Sequence, residues 1–282
     1  MKNVLVLAVI FSMILSSSCF AAEKIAVPKR IVSLGSYLTE GLFLLGVEDS
    51  IVGVTTYCNR PPAAQEKDKA GSIVDVNIEK VISLYPDLIL ATPLTNDKAK
   101  SKLRQIGLNI VEFDQVKDFA QICEQFLKLG RIVNKLEEAK KIVEKASKQV
   151  RDLNESISSE PKQKVFIQVG TKPLFTMNNE FFVNDLIELS GGINIAKNAS
   201  TGIYSREKVV ALNPDIIIIA SMGITAEDEK QVWTRYTTIN AVKNNKIFCI
   251  DPDIICNPIP NNFANTLKLM IGFMHGEQDN GI

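Results

Sequence analysis

The chain has 282 residues, of which 46% are hydrophobic and 23% charged, with 32 Lys+Arg against 32 Asp+Glu. That length and apolar content suffice for one large or two ordinary domains. The balanced charge leaves no basic stripe, so composition argues against a nucleic-acid partner.

Lys2, the apolar run Val4–Leu15 and the small residues Ser16–Ala22 read as a signal peptide over residues 1–21, with the mature chain starting near Ala22. The apolar run is too short to span a bilayer. Cys19 supports an alternative, a lipid-anchored cysteine, although Leu15 stands one place further upstream than a lipobox requires. Either reading predicts export, to the periplasm in the first case.

Residues 28–130 read as a first α/β lobe. Strands are expected at Arg30–Ser36, Ile51–Thr56, Leu88–Thr92 and Asn109–Phe113, with helices at Thr39–Gly46, Glu79–Leu84 and Lys98–Gln105. Short, uniformly apolar strands alternating with helices predict a parallel sheet covered on both faces. Between the second strand and the next helix, Tyr57-Cys58-Asn59-Arg60-Pro61-Pro62 forms a loop stiffened by its prolines.

Residues 131–160 follow a helix at Phe119–Leu129. Asn134–Ser158 lacks glycine and proline and carries Leu136, Ala139, Ile142, Val143, Ala146, Val150 and Leu153 on one face. At 1.5 Å per residue, about 25 residues reach close to 40 Å. Such a helix suits a strut between two lobes; an ordinary surface helix is the alternative.

Residues 161–276 repeat the plan. Strands are expected at Lys164–Gly170, Ile216–Ile219 and Lys246–Asp251. Helices are expected at Phe182–Leu189, from Ser205 to the Asn213-Pro214 stop, over Val232–Lys243 and at Asn261–Gly276. Ile78–Thr92, IEKVISLYPDLILAT, and Arg206–Ala220, REKVVALNPDIIIIA, match with an offset of 128 residues, which pairs Glu79 with Glu207 and Pro86 with Pro214. The fold class is α/β: two lobes, each a central parallel sheet flanked by helices, joined by one long helix.

No catalytic constellation emerges. The one histidine, His275, lies near the C-terminus, and neither G-x-S-x-G nor a glycine-rich phosphate loop is present. Glu40 is a carboxylate near the start of the first helix, where it can serve the helix terminus or chemistry. Cys249 and Cys256 could pair in an oxidising compartment, and Cys123 lies in a helical pattern. A zinc site lacks its ligands, since there is no CxxC and only one histidine. What remains is a cleft between lobes, at the C-terminal ends of the strands.

In order and spacing, RIVSLGSYLTE, VGVTTYCNRPP, NIEKVISLYPDLIL, KVFIQVGTKPLFT, FVNDLIELSGGINIA, SREKVVALNPDIIII and AVKNNKIFCID resemble the periplasmic substrate-binding proteins of ABC importers. The resemblance covers nearly the whole mature chain. It is strongest to the subgroup that carries cobalamin, ferric siderophores and haem. It implies a monomeric carrier, without a cofactor of its own and without enzymatic chemistry. Such a carrier takes cobalamin, a related corrinoid or a ferric chelate and delivers it to an inner-membrane permease. By matching loops, the resemblance names Tyr37, Tyr57, Cys58, Phe175, Tyr204 and Trp233 as ligand-binding candidates. It names Glu79 and Glu207 as the glutamates that dock on permease arginines. Near the Glu79 helix this chain has Ile73 where the cobalamin-binding members have a tryptophan, a departure that keeps ferric siderophores in play.

Overall fold

The structure, a computed structural model, describes residues 27–220 and 226–276; the expected signal peptide and Cys19 lie outside them. The first lobe runs β1 (Ile31–Leu34), α1 (Ser36–Leu44), β2 (Ile51–Val54), α2 (Ile78–Ser83), β3 (Leu88–Ala91), α3 (Asp97–Gln105) and β4 (Ile110–Glu112). Two helices follow, α4 (Phe119–Ile132) and α5 (Leu136–Ser156). The second lobe runs β5 (Gln163–Gln168), β6 (Gly170–Thr171), β7 (Leu174–Phe175), α6 (Phe182–Leu189), β8 (Gly192–Asn194), α7 (Arg206–Leu212) and β9 (Ile216–Ile219). It continues through α8 (Ala226–Thr234), α9 (Asn240–Lys243), β10 (Ile247–Cys249), α10 (Pro252–Ile255) and α11 (Pro260–His275).

The two main sheets are parallel throughout and share one plan. Their strand orders are β2-β1-β3-β4 and, read from the matching edge, β8-β5-β9-β10. Apolar layers on both faces account for the unbroken apolar strands. Ile216 and Ile218 face one cluster with Val165 and Phe263, while Ile217 and Ile219 face another with Phe166 and Trp233. Leu88 and Leu90 are likewise separated from Ile89 in the first lobe. The internal repeat extends to polar detail. Asp87 ahead of β3 accepts from the backbone N–H of Lys29 and Arg30 at 2.8 and 3.0 Å, and Asp215 ahead of β9 accepts from that of Lys164 at 2.8 Å. Each aspartate thereby fastens the entry of one inner strand to that of its neighbour.

Several helices start on short polar caps, which satisfy otherwise orphaned N–H groups. Asn77 accepts from Lys80 N, Asn96 from Ala99 N, Asp118 from Gln121 N and Ser205 from Lys208 N. Asn213 ends α7 in the left-handed region at φ 47°, so the residue before the proline makes the stop.

The long helix is shorter than the sequence suggests. Asn134 turns the chain at φ 55°, and α5 begins only at Leu136 and spans 21 residues, about 31 Å. It joins both lobes nonetheless. Ala139, with Ile142 and Val143, enters the first lobe's core, and Ala146, Val150 and Leu153 enter the second's. Two further elements cross. Phe119 and Ile122 of α4 pack in the second core while its Phe126 and Leu129 pack in the first, and Ile259, just before α11, returns to the first. The expected helix over Val232–Lys243 is two helices, α8 and α9, parted at residues 235–239, where Tyr236 N and Ile239 N turn back to Trp233 O and Tyr236 O. The β6–β7 hairpin, β8 and α10 have no counterpart in the pattern read from the sequence.

Candidate functional site, an inter-lobe cleft

Loops leaving the C-terminal ends of parallel strands are where open α/β sheets take ligands. Here those loops reach toward each other from the two lobes. From β1, Ser36 donates to Asn257 Oδ1 at 2.9 Å; from β2, Asn59 donates to Asp253 Oδ2 at 3.5 Å. Lys117 Nζ pairs with Glu180 at 2.5 Å, and Asp185 accepts from Phe119 N at 2.8 Å, so the α4 approach is tied to the second lobe as well. Burial holds the Asp185 carboxyl above its usual range despite that hydrogen bond.

The six ligand candidates divide three to a lobe. Tyr57 is 61% exposed on the loop after β2. Phe175 is half-buried on β7, and its ring lies so close to Gly202 that any side chain there would collide with it, a Cβ falling 2.1 Å from the ring edge. Tyr37 is half-buried and lines a small gap with Phe113, Phe126, Pro258 and Ile259. Its phenol is pushed up, first by burial and then by Asp114.

The structure places the other three candidates inside the fold, each with partners there. Cys58 is fully buried, its Sγ 3.2 Å from Thr39 Oγ1 and 3.1 Å from Thr55 Oγ1. Tyr204 is 9% exposed, packs on Phe166 and donates to Ile195 O at 3.3 Å. Trp233 has no exposed surface: its ring meets Phe166 edge-on at 6.0 Å and Nε1 donates to Gln168 Oε1 at 2.7 Å.

Trp233 belongs to a polar knot that the sequence did not reveal. Gln168 Nε2 donates to Glu229 at 2.8 Å, Arg206 Nη2 donates to the same Glu229 oxygen at 2.5 Å, and the Arg206 guanidinium lies 4.7 Å from the Trp233 ring centre. The knot pins α7 and α8 to the C-terminal end of β5.

A second unread cluster lies at the foot of the cleft. Glu40 is 8% exposed and is fully spent inside the fold, on groups other than the helix terminus. It accepts from Asn257 Nδ2 at 3.3 Å and Asn262 Nδ2 at 3.2 Å, and Arg60 Nε stands 3.6 Å away. Burial raises its carboxyl above the usual range, and Arg60 and the asparagines offset part of that rise. The asparagines gave no signal, because nothing local in Cys256-Asn257-Pro258-Ile259-Pro260-Asn261-Asn262 announces a carboxylate 217 positions earlier.

Glu79 and Glu207 are both exposed, in the first turns of α2 and α7. Ser205 and the residue's own backbone N–H hold the Glu207 carboxyl below its usual range, the backbone contributing most. Cys123, Cys249 and Cys256 are free thiols, pushed up chiefly by burial to about 11, 11 and 12. Among the described residues no group of three or more metal-ligating side chains converges, and no helix is long and apolar enough to cross a membrane.

Two similar α/β lobes whose strand-end loops meet, joined by a long helix that enters both cores, define a cleft-type binding protein. The chain belongs to the periplasmic binding protein family, whose model matches residues 31–254. It is 29% identical over 243 residues to the uncharacterised ABC transporter substrate-binding lipoprotein YvrC of Bacillus subtilis, covering 83% of this chain and 76% of that one. It is 28% identical over 235 residues to the vitamin B12-binding protein of Vibrio cholerae, covering 82% and 84%. The crystal structure of the periplasmic vitamin B12-binding protein of Vibrio cholerae superposes with a TM-score of 0.76 at 26% identity, covering 88% of this chain and 97% of that one. These relatives are transport binding proteins.

Proposed function

We propose that the chain is the cargo-binding protein of an ABC importer, which takes a metal chelate between its lobes and hands it to an inner-membrane permease. The carrying observation is the pair of equally ordered parallel sheets whose C-terminal loops meet. Cobalamin or a related corrinoid is the leading cargo, by likeness to the B12-binding relatives. Tyr57, with Phe175 and Tyr37, supplies the apolar and aromatic contact that a large flat chelate needs. The protein performs no chemistry of its own and acts as a monomer outside the cytoplasm, as a mature periplasmic chain or one anchored through Cys19. Its working units are the lobes at residues 28–130 and 161–276 and the connection at 131–160. Glu79 and Glu207, exposed and equivalent by the repeat, are the permease contacts.

Haem or a ferric siderophore is the second reading. The exposed Tyr57 phenol favours it, because a tyrosine oxygen can hold haem iron. Purified protein incubated separately with cyanocobalamin, haem and a ferric chelate, then freed of unbound ligand, decides by its visible spectrum. The corrin bands should travel with the protein. Retention of none of the three would refute the carrier reading.

A further inference from the structure

Glu40 is costly where it stands, since an ionised carboxylate resists burial unless donors surround it. Its donors come from separate stretches of chain. Arg60 is on the loop after β2, three residues from Tyr57; Asn257 follows α10; Asn262 is in the first turn of α11. Ser36, on the same helix as Glu40, holds Asn257 by its other amide atom. Arg60 Nε is buried and has no hydrogen-bond partner, so the ion pair with Glu40 is what retains that side chain. The first lobe's cleft loop and the second lobe's α10–α11 junction thus meet on a single carboxylate.

We propose that Glu40 is a positioning residue: it fastens the Arg60 loop to Asn257 and Asn262 and so sets the gap in which cargo is taken. This rests on the carrier reading for its effect on binding, while its effect on the gap is independent of any cargo. Glu40 touches no ligand itself. Arg60 is the one charged group that moves its ionisation. Titratable groups linked to this cluster are Tyr37 in the first turn of α1, Cys58, whose Sγ meets Thr39 Oγ1, Cys256 beside Asn257, and Asp253, engaged by Asn59. From α4, the helix packed on α1, Phe126 and Leu129 face Gly41. Protonation of Glu40 relieves the cost of burying its charge but ends the ion pair with Arg60, so lowering the pH should free the Arg60 loop and loosen the gap even as global stability rises.

Two measurements test this. Spin labels at Lys98→Cys on α3 and Lys243→Cys on α9, both exposed positions in different lobes, report the inter-lobe distance in ligand-free protein. The distribution should be narrow for the parent at neutral pH and broaden on acidification. In Glu40→Ala it should be broad at every pH, and Glu40→Gln should match the acidified parent. A distribution in folded Glu40→Ala as narrow as the parent's overturns the proposal. Calorimetric titration with cyanocobalamin and with haem supplies the second readout. Parent affinity should fall about tenfold as Glu40 is protonated, the loss expected for one hydrogen-bonded charge. Glu40→Gln should show the weaker affinity without that pH step, and a pH step that persists in Glu40→Gln overturns the proposal. If neither probe binds the parent, the cargo assignment fails and the spin-label distances still decide the role of Glu40.

Discussion

Replacing Trp233 with phenylalanine separates a ligand-lining tryptophan from a structural one. The variant keeps a ring against Phe166 and beneath Arg206 but removes the Nε1–H that donates to Gln168 Oε1 at 2.7 Å. Gln168 is fully buried, so its stranded acceptor costs roughly 1–3 kcal/mol. The smaller ring adds about 1 kcal/mol of lost packing. A total of about 2–4 kcal/mol should lower the melting temperature by roughly 4–8 °C in a chain of this size. Urea denaturation followed by far-ultraviolet circular dichroism reads the stability, and cyanocobalamin titration of the folded variant reads the site. Affinity should stay within about threefold of the parent, because the indole presents no surface to the cleft. Unchanged stability with a large loss of affinity would refute the packing argument and return Trp233 to the binding site.

Tyr57→Ala should do the opposite, weakening cargo binding by about 1–3 kcal/mol while leaving stability nearly unchanged, since the side chain is mostly exposed; calorimetry beside thermal denaturation checks both halves. Glu79→Arg combined with Glu207→Arg should abolish reconstituted uptake and spare cargo binding, so normal uptake would eliminate the docking role. Because the folded-state value for Glu40 is raised, its stability contribution is complete below the ordinary carboxylate range and is lost as pH rises through that raised value. The stability difference between Glu40→Gln and the parent should therefore shift in the variant's favour from about pH 4 to about pH 7; a constant difference in denaturation midpoints would contradict the assignment. With both lobes packed on α4, α5 and Ile259, X-ray scattering curves with and without cargo should nearly superimpose, and a large compaction would refute the bracing.

The sheets were legible because burial on both faces writes itself into each strand, as in Ile216–Ile219, and the prolines and glycines around them mark the ends. The repeat was legible for the same reason, since equivalent places in two like lobes demand like residues. The surroundings of Trp233 were not legible, because an aromatic near a loop looks the same in sequence whether it faces a cargo or Phe166; its packing and the partner of its indole nitrogen are seen only in the fold. The Glu40 cluster was hidden for another reason. Its members lie up to 222 positions apart, and no periodicity links a carboxylate to two distant asparagines. The long helix was placed correctly and started two residues early, because Asn134 adopts a left-handed turn that asparagine permits without announcing it.

Ile259 carries a consequence for how the molecule is made. It is 2% exposed within the core of the first lobe, yet it is synthesised after both lobes' sheets. A chain emerging from its N-terminus leaves that one place in the core open until residue 259 arrives. A chain cut before residue 259 should therefore present a loosened first lobe to proteases, at the place that Ile259 fills.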